Sequence, residues 1–223
     1  MIKDFFLKYR NWKYAKSQRN KVFVKGTLLN AFYKSKTIFI HIPKTAGISL
    51  AEAIYGDVTL EGHRSFYFNS IALNIKNEKY FSFSFIRNPF DRLYSAYKFL
   101  EKGGINHIDK LAFKTYLSKF IDFEDFILNG ISKELIYHIT HFIPQHEYLC
   151  DKSGVILVDF VGRFEDLDND VLKLSKLLKK NIKLRHYNHN KKLDYKLAYT
   201  NDMIDIVHQI YQKDIDIFKY TFK

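Results

Sequence analysis

Two short apolar runs, each stopped by a turn and followed by a helical stretch, constrain this chain more than any other feature. The first, Thr37-Ile38-Phe39-Ile40-His41-Ile42, is β-rich and ends at Pro43. Gly47 sits in the turn beyond it, and Ile48 to Tyr55 then reads as a helix closed by Gly56. The second run is Tyr80 to Ile86, with Phe and Ser alternating. Arg87-Asn88-Pro89 is its turn, and Pro89 suits the first turn of a helix reaching about Glu101, before Gly103-Gly104. Val155-Ile156-Leu157-Val158, continuing toward Val161, predicts a third strand. Helices are predicted from Leu167 to Lys180 and from about Asp202 to Lys213. Strands alternating with helices imply an α/β fold with a mostly parallel sheet covered on both faces. Residues 105–150 show only helical fragments and loops, and are the natural place for a second substrate.

Composition matters at three points. Apolar residues at 47% with 3 Pro and 9 Gly exclude a disordered chain. Cys150 stands alone, so no internal disulfide is available, which favours the cell interior. No run approaches the roughly 20 apolar residues of a membrane span. The N-terminal apolar run is broken by charge too early for a signal peptide. The expected location is therefore cytoplasmic. The net charge of +12 is unevenly spread: residues 1–40 hold ten Lys/Arg and one acid, a net of +9, whereas the rest holds 26 against 23, a net of +3. The chain is expected to divide into a basic helical segment, 1–36, and a single domain, 37–223. Aromatics interleave with the charge of that first segment. It suits either peripheral contact with an anionic membrane at its inner face or a solvated helix packed on the domain.

The first turn reads His41-Ile-Pro-Lys-Thr-Ala-Gly-Ile-Ser49. A strand leading through a tight loop into a helix aims backbone amides at an anion. Lys44 adds a mobile charge, and Thr45 and Ser49 add hydroxyl donors. A Walker A loop would place its lysine after the second glycine. Here Lys44 precedes Gly47, so the loop is shorter than an ATPase loop. In the second unit Arg87 ends the strand and Ser95 lies eight residues on, two helical turns later. A guanidinium grips a phosphate through two N–H groups at once, and a serine hydroxyl can add a third bond. Both fit one phosphate at the C-terminal edge of a sheet.

These segments, P-K-T-A-G-I-S and F-I-R-N-P-F-D-R-L-Y-S-A-Y, resemble the donor-binding loops of the sulfotransferases that use 3′-phosphoadenosine 5′-phosphosulfate (PAPS). The likeness is to the branch that includes heparan sulfate 2-O-sulfotransferase and bacterial carbohydrate sulfotransferases. It implies a P-loop NTPase-like three-layer fold with a central, mostly parallel sheet flanked by helices. It implies that Lys44, Thr45, Ala46, Gly47, Ile48 and Ser49 bind the 5′-phosphosulfate, and that Arg87 and Ser95 hold the 3′-phosphate. Asp91 and Arg92 match the same pattern and read as an internal ion pair or cap. Val158-Asp-Phe-Val-Gly-Arg-Phe-Glu165 and the last stretch, around Tyr211, Asp214, Phe218 and Tyr220, resemble further segments of that family.

Transfer to an alcohol needs a base near the acceptor oxygen, and histidine suits neutral pH. Nine histidines are present, so composition selects none. Glu-Gly-His-Arg-Ser65 resembles the family's histidine segment, which makes His63 the expected base. Lys44 and the loop amides would neutralise charge on the leaving phosphate. Adenosine 3′,5′-bisphosphate would be the product, and no metal is called for. Lys191 and Lys192, in a basic loop, suit either the donor's 3′-phosphate or a solvated charge run. The acceptor implied is a carbohydrate hydroxyl on a polysaccharide or glycolipid; the oligomeric state is not encoded.

Three other readings are open at this stage. A P-loop kinase acting on a small molecule or sugar would use Asp159 for Mg²⁺. A metal site would draw on His138, His141, His146 and Cys150, or on His186 and His189, although neither spacing matches a zinc pattern. A nucleic-acid binder should spread its charge over one face rather than concentrate it in the first 40 residues, so no nucleic-acid partner is expected.

Overall fold

The computed structural model describes residues 11–75, 78–184 and 194–222. In chain order its principal elements are α1 (Leu28–Ser35), β1 (Thr37–Ile40), α2 (Gly47–Tyr55), α3 (Phe66–Leu73), β2 (Phe81–Ile86), α4 (Pro89–Glu101), α5 (His107–Ala112), α6 (Phe123–Asn129), β3 (Phe160–Arg163), α7 (Leu167–Leu178) and α8 (Asn201–Phe218). They fall into two compact units. Among the described residues, unit 1 comprises those up to Ile42, from Ala46 to Ile86 and from 147 to 184; unit 2 comprises Pro43–Thr45, Arg87–His146 and those from 194 on. The described residues before Lys36 belong to unit 1, and the described residues after it contribute to both units.

Unit 1 holds a three-stranded parallel sheet in the order β1-β2-β3. Thr37 faces Phe81, and Phe83 faces Phe160. Parallel neighbours need long crossovers, and α2 and α3 lie in the one between β1 and β2. Ile38, Phe39 and Ile40 are all buried, as is every residue of β2 after Phe81. Both faces of these strands are therefore covered. The Phe/Ser alternation of β2 has a physical reason on each face. Phe83 stacks on Phe39, with ring centroids 5.2 Å apart, and Phe85 packs on Phe160. On the other face, the Ser84 hydroxyl donates to the Ile40 carbonyl at 2.7 Å. Gly162 passes so close to Phe85 that a Cβ there would lie 2.4 Å from the ring.

The third strand begins later than the apolar run suggested. Val155 to Val158 lie outside the sheet; Val155 is exposed, and Ile156 makes only an isolated antiparallel bridge with Cys150. The strand is Phe160–Arg163, and Asp159 decides its register. Asp159 Oδ2 accepts from both the amide and the hydroxyl of Ser82 at 2.7 Å. This carboxylate, which a kinase would commit to magnesium, is tied to the neighbouring strand.

The described part of the basic segment packs within unit 1. Ala15 is fully buried, the Arg19 guanidinium donates to the Ile71 carbonyl, and Lys21 pairs with Glu61 at 2.7 Å. Thr27 caps α1 by accepting from the Asn30 amide.

Unit 2 is helical around an aromatic core. Phe90, Leu93, Tyr97 and Leu100 of α4 pack with Phe126 of α6 and with Met203, Val207 and Tyr211 of α8. The predicted α4 bounds agree with the structure, because both ends carry local signals. Asn88 accepts from the Phe90 amide as N-cap, Pro89 opens the helix, and Gly103 and Gly104 at positive φ end it. Helix α8 runs five residues beyond its expected end and is kinked at Tyr211. Among the described residues no helix is long and apolar enough to cross a membrane.

Candidate functional site

In unit 1 the loop after β1 ends at Ala46, whose φ of 62° is left-handed. Ala46 caps α2 without a side-chain hydrogen bond, so the amides of Gly47, Ile48 and Ser49 open the helix as donors. Ile48 is exposed and Ser49 half-buried. Gly47 is required by contact. A Cβ there would fall 1.9 Å from Cδ2 of the His41 ring. His41 in turn meets His63 edge to face, with ring centroids 4.4 Å apart.

His63 is anchored from both directions. Gly62 adopts φ 68° before it, and Ser65 after it caps α3 by accepting from the Phe68 amide. Arg64 lies over the rings of Tyr14 and Phe68. The Nδ1 of His63 is 2.9 Å from the His41 carbonyl oxygen. A carbonyl can only accept, so Nδ1 donates, and the lone pair of the neutral ring resides on Nε2. The backbone thus sets the tautomer a general base requires.

In unit 2 Lys44 also has a left-handed backbone, φ 70°. Positive φ at two non-glycine residues so close together is costly and is characteristic of functional loops. The Lys44 carbonyl accepts from Arg87 Nη1 at 3.0 Å, and its ammonium lies 4.0 Å from the centroid of the Phe99 ring. Burial first, and then the nearby Arg87 charge, lower the Lys44 pKa to about 8, with Asp109 opposing the shift. Two cations are thus held together where a buried ammonium is destabilised. An anion bound there would relieve both effects. Thr45 is fully buried.

Arg87 is more heavily engaged than its sequence suggests. Its Nε and Nη2 donate to the two carboxylate oxygens of Asp91, at 2.8 and 2.7 Å, across one helical turn. Asp91 therefore pairs with Arg87, and not with Arg92 as the sequence had suggested. Arg92 is buried and donates to the carbonyls of His141 and Ile143. Both arginines lie near Asp91 in sequence; the helical turn puts Arg87 on its face. Ser95 lies on α4, half-buried.

Long-range residues in unit 2 complete the setting. The Gln145 side chain accepts from the Arg87 amide at 2.9 Å and donates to the Arg87 carbonyl at 2.8 Å. Fully buried Asp214 accepts from the amides of Gln145 and His146. Nothing local in the sequence marks Gln145. Its role exists only because the fold brings it to a backbone 58 residues away in sequence. Gln145→Ala leaves that amide and carbonyl without these bonds. We expect a stability loss of about 1–3 kcal/mol in urea titration, together with weaker anion binding. Unchanged values for both would remove Gln145 from the site.

The structure thus groups Lys44 with Arg87 in unit 2, and His63 with His41 and the start of α2 in unit 1. Lys191, Lys192, His186 and His189 lie outside the described residues.

A family model described as "Sulfotransferase family" matches residues 31–221. No curated protein and no solved structure matches the chain.

Proposed function

Because the chain belongs to the sulfotransferase family, whose reaction is sulfuryl transfer, we propose that its donor is PAPS and its acceptor a carbohydrate hydroxyl on a polysaccharide or glycolipid. His63 serves as base, and Lys44 stabilises the leaving phosphate. The observation that carries this reading is the pairing of Lys44 with Arg87 on a left-handed loop, where burial and like charge weaken the hold of Lys44 on its proton. Such a pair suits a phosphate-bearing ligand.

Bound PAPS supplies the sulfuryl group and departs as adenosine 3′,5′-bisphosphate. The residues do the rest. His63 Nε2 takes the acceptor proton, and the His41 carbonyl steadies the imidazolium formed through Nδ1–H. Lys44, with the amides and hydroxyls from Thr45 to Ser49, meets charge developing on the 5′-phosphate. Arg87 and Ser95 hold the 3′-phosphate and convert binding energy into alignment.

Calorimetric titration with adenosine 3′,5′-bisphosphate tests the donor, with AMP and ATP plus Mg²⁺ as controls. We expect metal-independent binding that requires the 3′-phosphate and that Arg87→Ala abolishes. ATP binding with Mg²⁺ and no preference for the 3′-phosphate would sink the proposal. His63→Ala should retain this binding while turnover falls about 100- to 10,000-fold.

A further inference from the structure

Helix α5 of unit 2 continues through a π-type turn, Phe113–Leu117, so residues 107–117 form one helical segment. Its inner side is satisfied. Asp109 and Leu117 are buried, and Phe113 and Tyr116 pack against the aromatic core. Asp109 Oδ2 also accepts from the Ile105 amide at 3.0 Å, which fixes the residue leading into the helix. The outer side is unlike an ordinary solvated face. Ile105, Ile108 and Leu111, spaced by three, are 72%, 74% and 51% exposed. One turn-spaced row of large aliphatic side chains therefore points outward. Its flanks are basic: Lys102, Lys110, Lys114 and Lys119 are all exposed. Asp109 is the only acid between residues 102 and 121, and it faces inward. From 102 to 121 every exposed formal charge is thus positive, and the nearest exposed acids in sequence are Glu101, paired with Lys98, and Asp122.

We propose that this face of α5 is a seat for an anionic lipid bilayer. An aliphatic row set between lysines is the pattern by which a helix lies in a membrane interface, apolar side in the acyl boundary and ammonium groups on lipid phosphates. A second copy is a poorer occupant. Symmetric pairing would set the same four lysines against themselves. Under the sulfotransferase reading, this seat favours an acceptor sugar carried on a lipid; the surface itself does not depend on that reading.

The test uses the full chain, without donor or acceptor, and vesicles of phosphatidylcholine alone or mixed with phosphatidylglycerol. Binding should require phosphatidylglycerol and should weaken at high salt. Ile108→Glu/Leu111→Glu alters only exposed positions, and its near-ultraviolet circular dichroism should match that of the parent. Its partition onto phosphatidylglycerol vesicles should fall at least about tenfold. Trp12 is the only tryptophan, so a Trp12→Phe/Ile108→Trp variant reports on this face alone, and its emission should shift to the blue on those vesicles. Undiminished partition of the glutamate variant, or an unshifted emission, would overturn the proposal. So would a dimer in sedimentation velocity that the glutamate pair dissolves, since the face would then belong to a second copy. Failure here would leave the sulfuryl-transfer reading intact, because that reading is tested by nucleotide titration.

Discussion

Replacing Lys44 by methionine is expected to lower turnover about 100- to 1000-fold, the usual cost of removing one group that meets developing charge. Methionine is of similar length and can set its thioether near the Phe99 ring in place of the ammonium, so the fold should survive. Donor affinity should fall far less than turnover, because Arg87 and the loop amides remain. Equal losses in both would make Lys44 a binding group and not a catalytic one. The pH dependence carries a second signature. In the proposed role Lys44 must be protonated, and its pKa is lowered from 10.5 to about 8, chiefly by burial. The rate at low donor concentration should therefore fall as pH rises through about 8, and this limb should vanish in Lys44→Met. Stability moves the opposite way. The folded pKa lies below the unfolded one, so the unfolded chain holds this proton more tightly. Lys44 thus makes the donor-free protein more stable as pH rises from about 8 toward 10.5, where the gain is complete. Bound donor should raise the Lys44 pKa again, so at saturating donor the falling limb should lie at higher pH than at low donor.

Arg92→Met should destabilise the protein by about 2–5 kcal/mol, the largest stability effect we expect, because two carbonyls lose charged donors in a buried setting. Arg92 is 1% exposed, and its fork spans the carbonyls of His141 and Ile143 at 3.1 and 2.9 Å. Tyr211 takes the carbonyl between them, that of Phe142, at 2.7 Å. Three successive carbonyls are thus held by side chains from α4 and α8. Two residues further on, Gln145 holds the Arg87 backbone. Loss of Arg92 should therefore weaken nucleotide binding as well as stability. Arg92→Lys should rescue little, since one ammonium cannot span two carbonyls as a planar fork does. Urea unfolding gives the measurement. A cost below about 1 kcal/mol for Arg92→Met would mean that this loop is held by packing alone.

Local signals carried much of the architecture. The strand–loop–helix units at Thr37–Tyr55 and Phe81–Glu101 were legible because apolar runs, Pro89 and the flanking glycines act over a few residues. The residues of the turn from Lys44 to Ser49 stood out for the same reason. An apolar run alone does not choose its partner, however. Val155 to Val158 looked like a strand, but the carboxylate of Asp159 locks onto Ser82 and starts the strand at Phe160. Asp91 was read with its neighbour Arg92, but one helical turn pairs it with Arg87.

By itself, then, the sequence determined the α/β class, the two turn motifs and the membership of the family, since each rests on residue types at short spacing. Tertiary structure alone decided which tautomer His63 adopts, why position 47 must be glycine, and how far the Lys44 ammonium is destabilised. It alone brought Gln145 to the backbone of Arg87 across 58 residues, and Asp214 to the backbone of Gln145 across 69. The physical reason is that hydrogen bonds, burial and charge proximity depend on distance in space, which no local pattern of residues encodes.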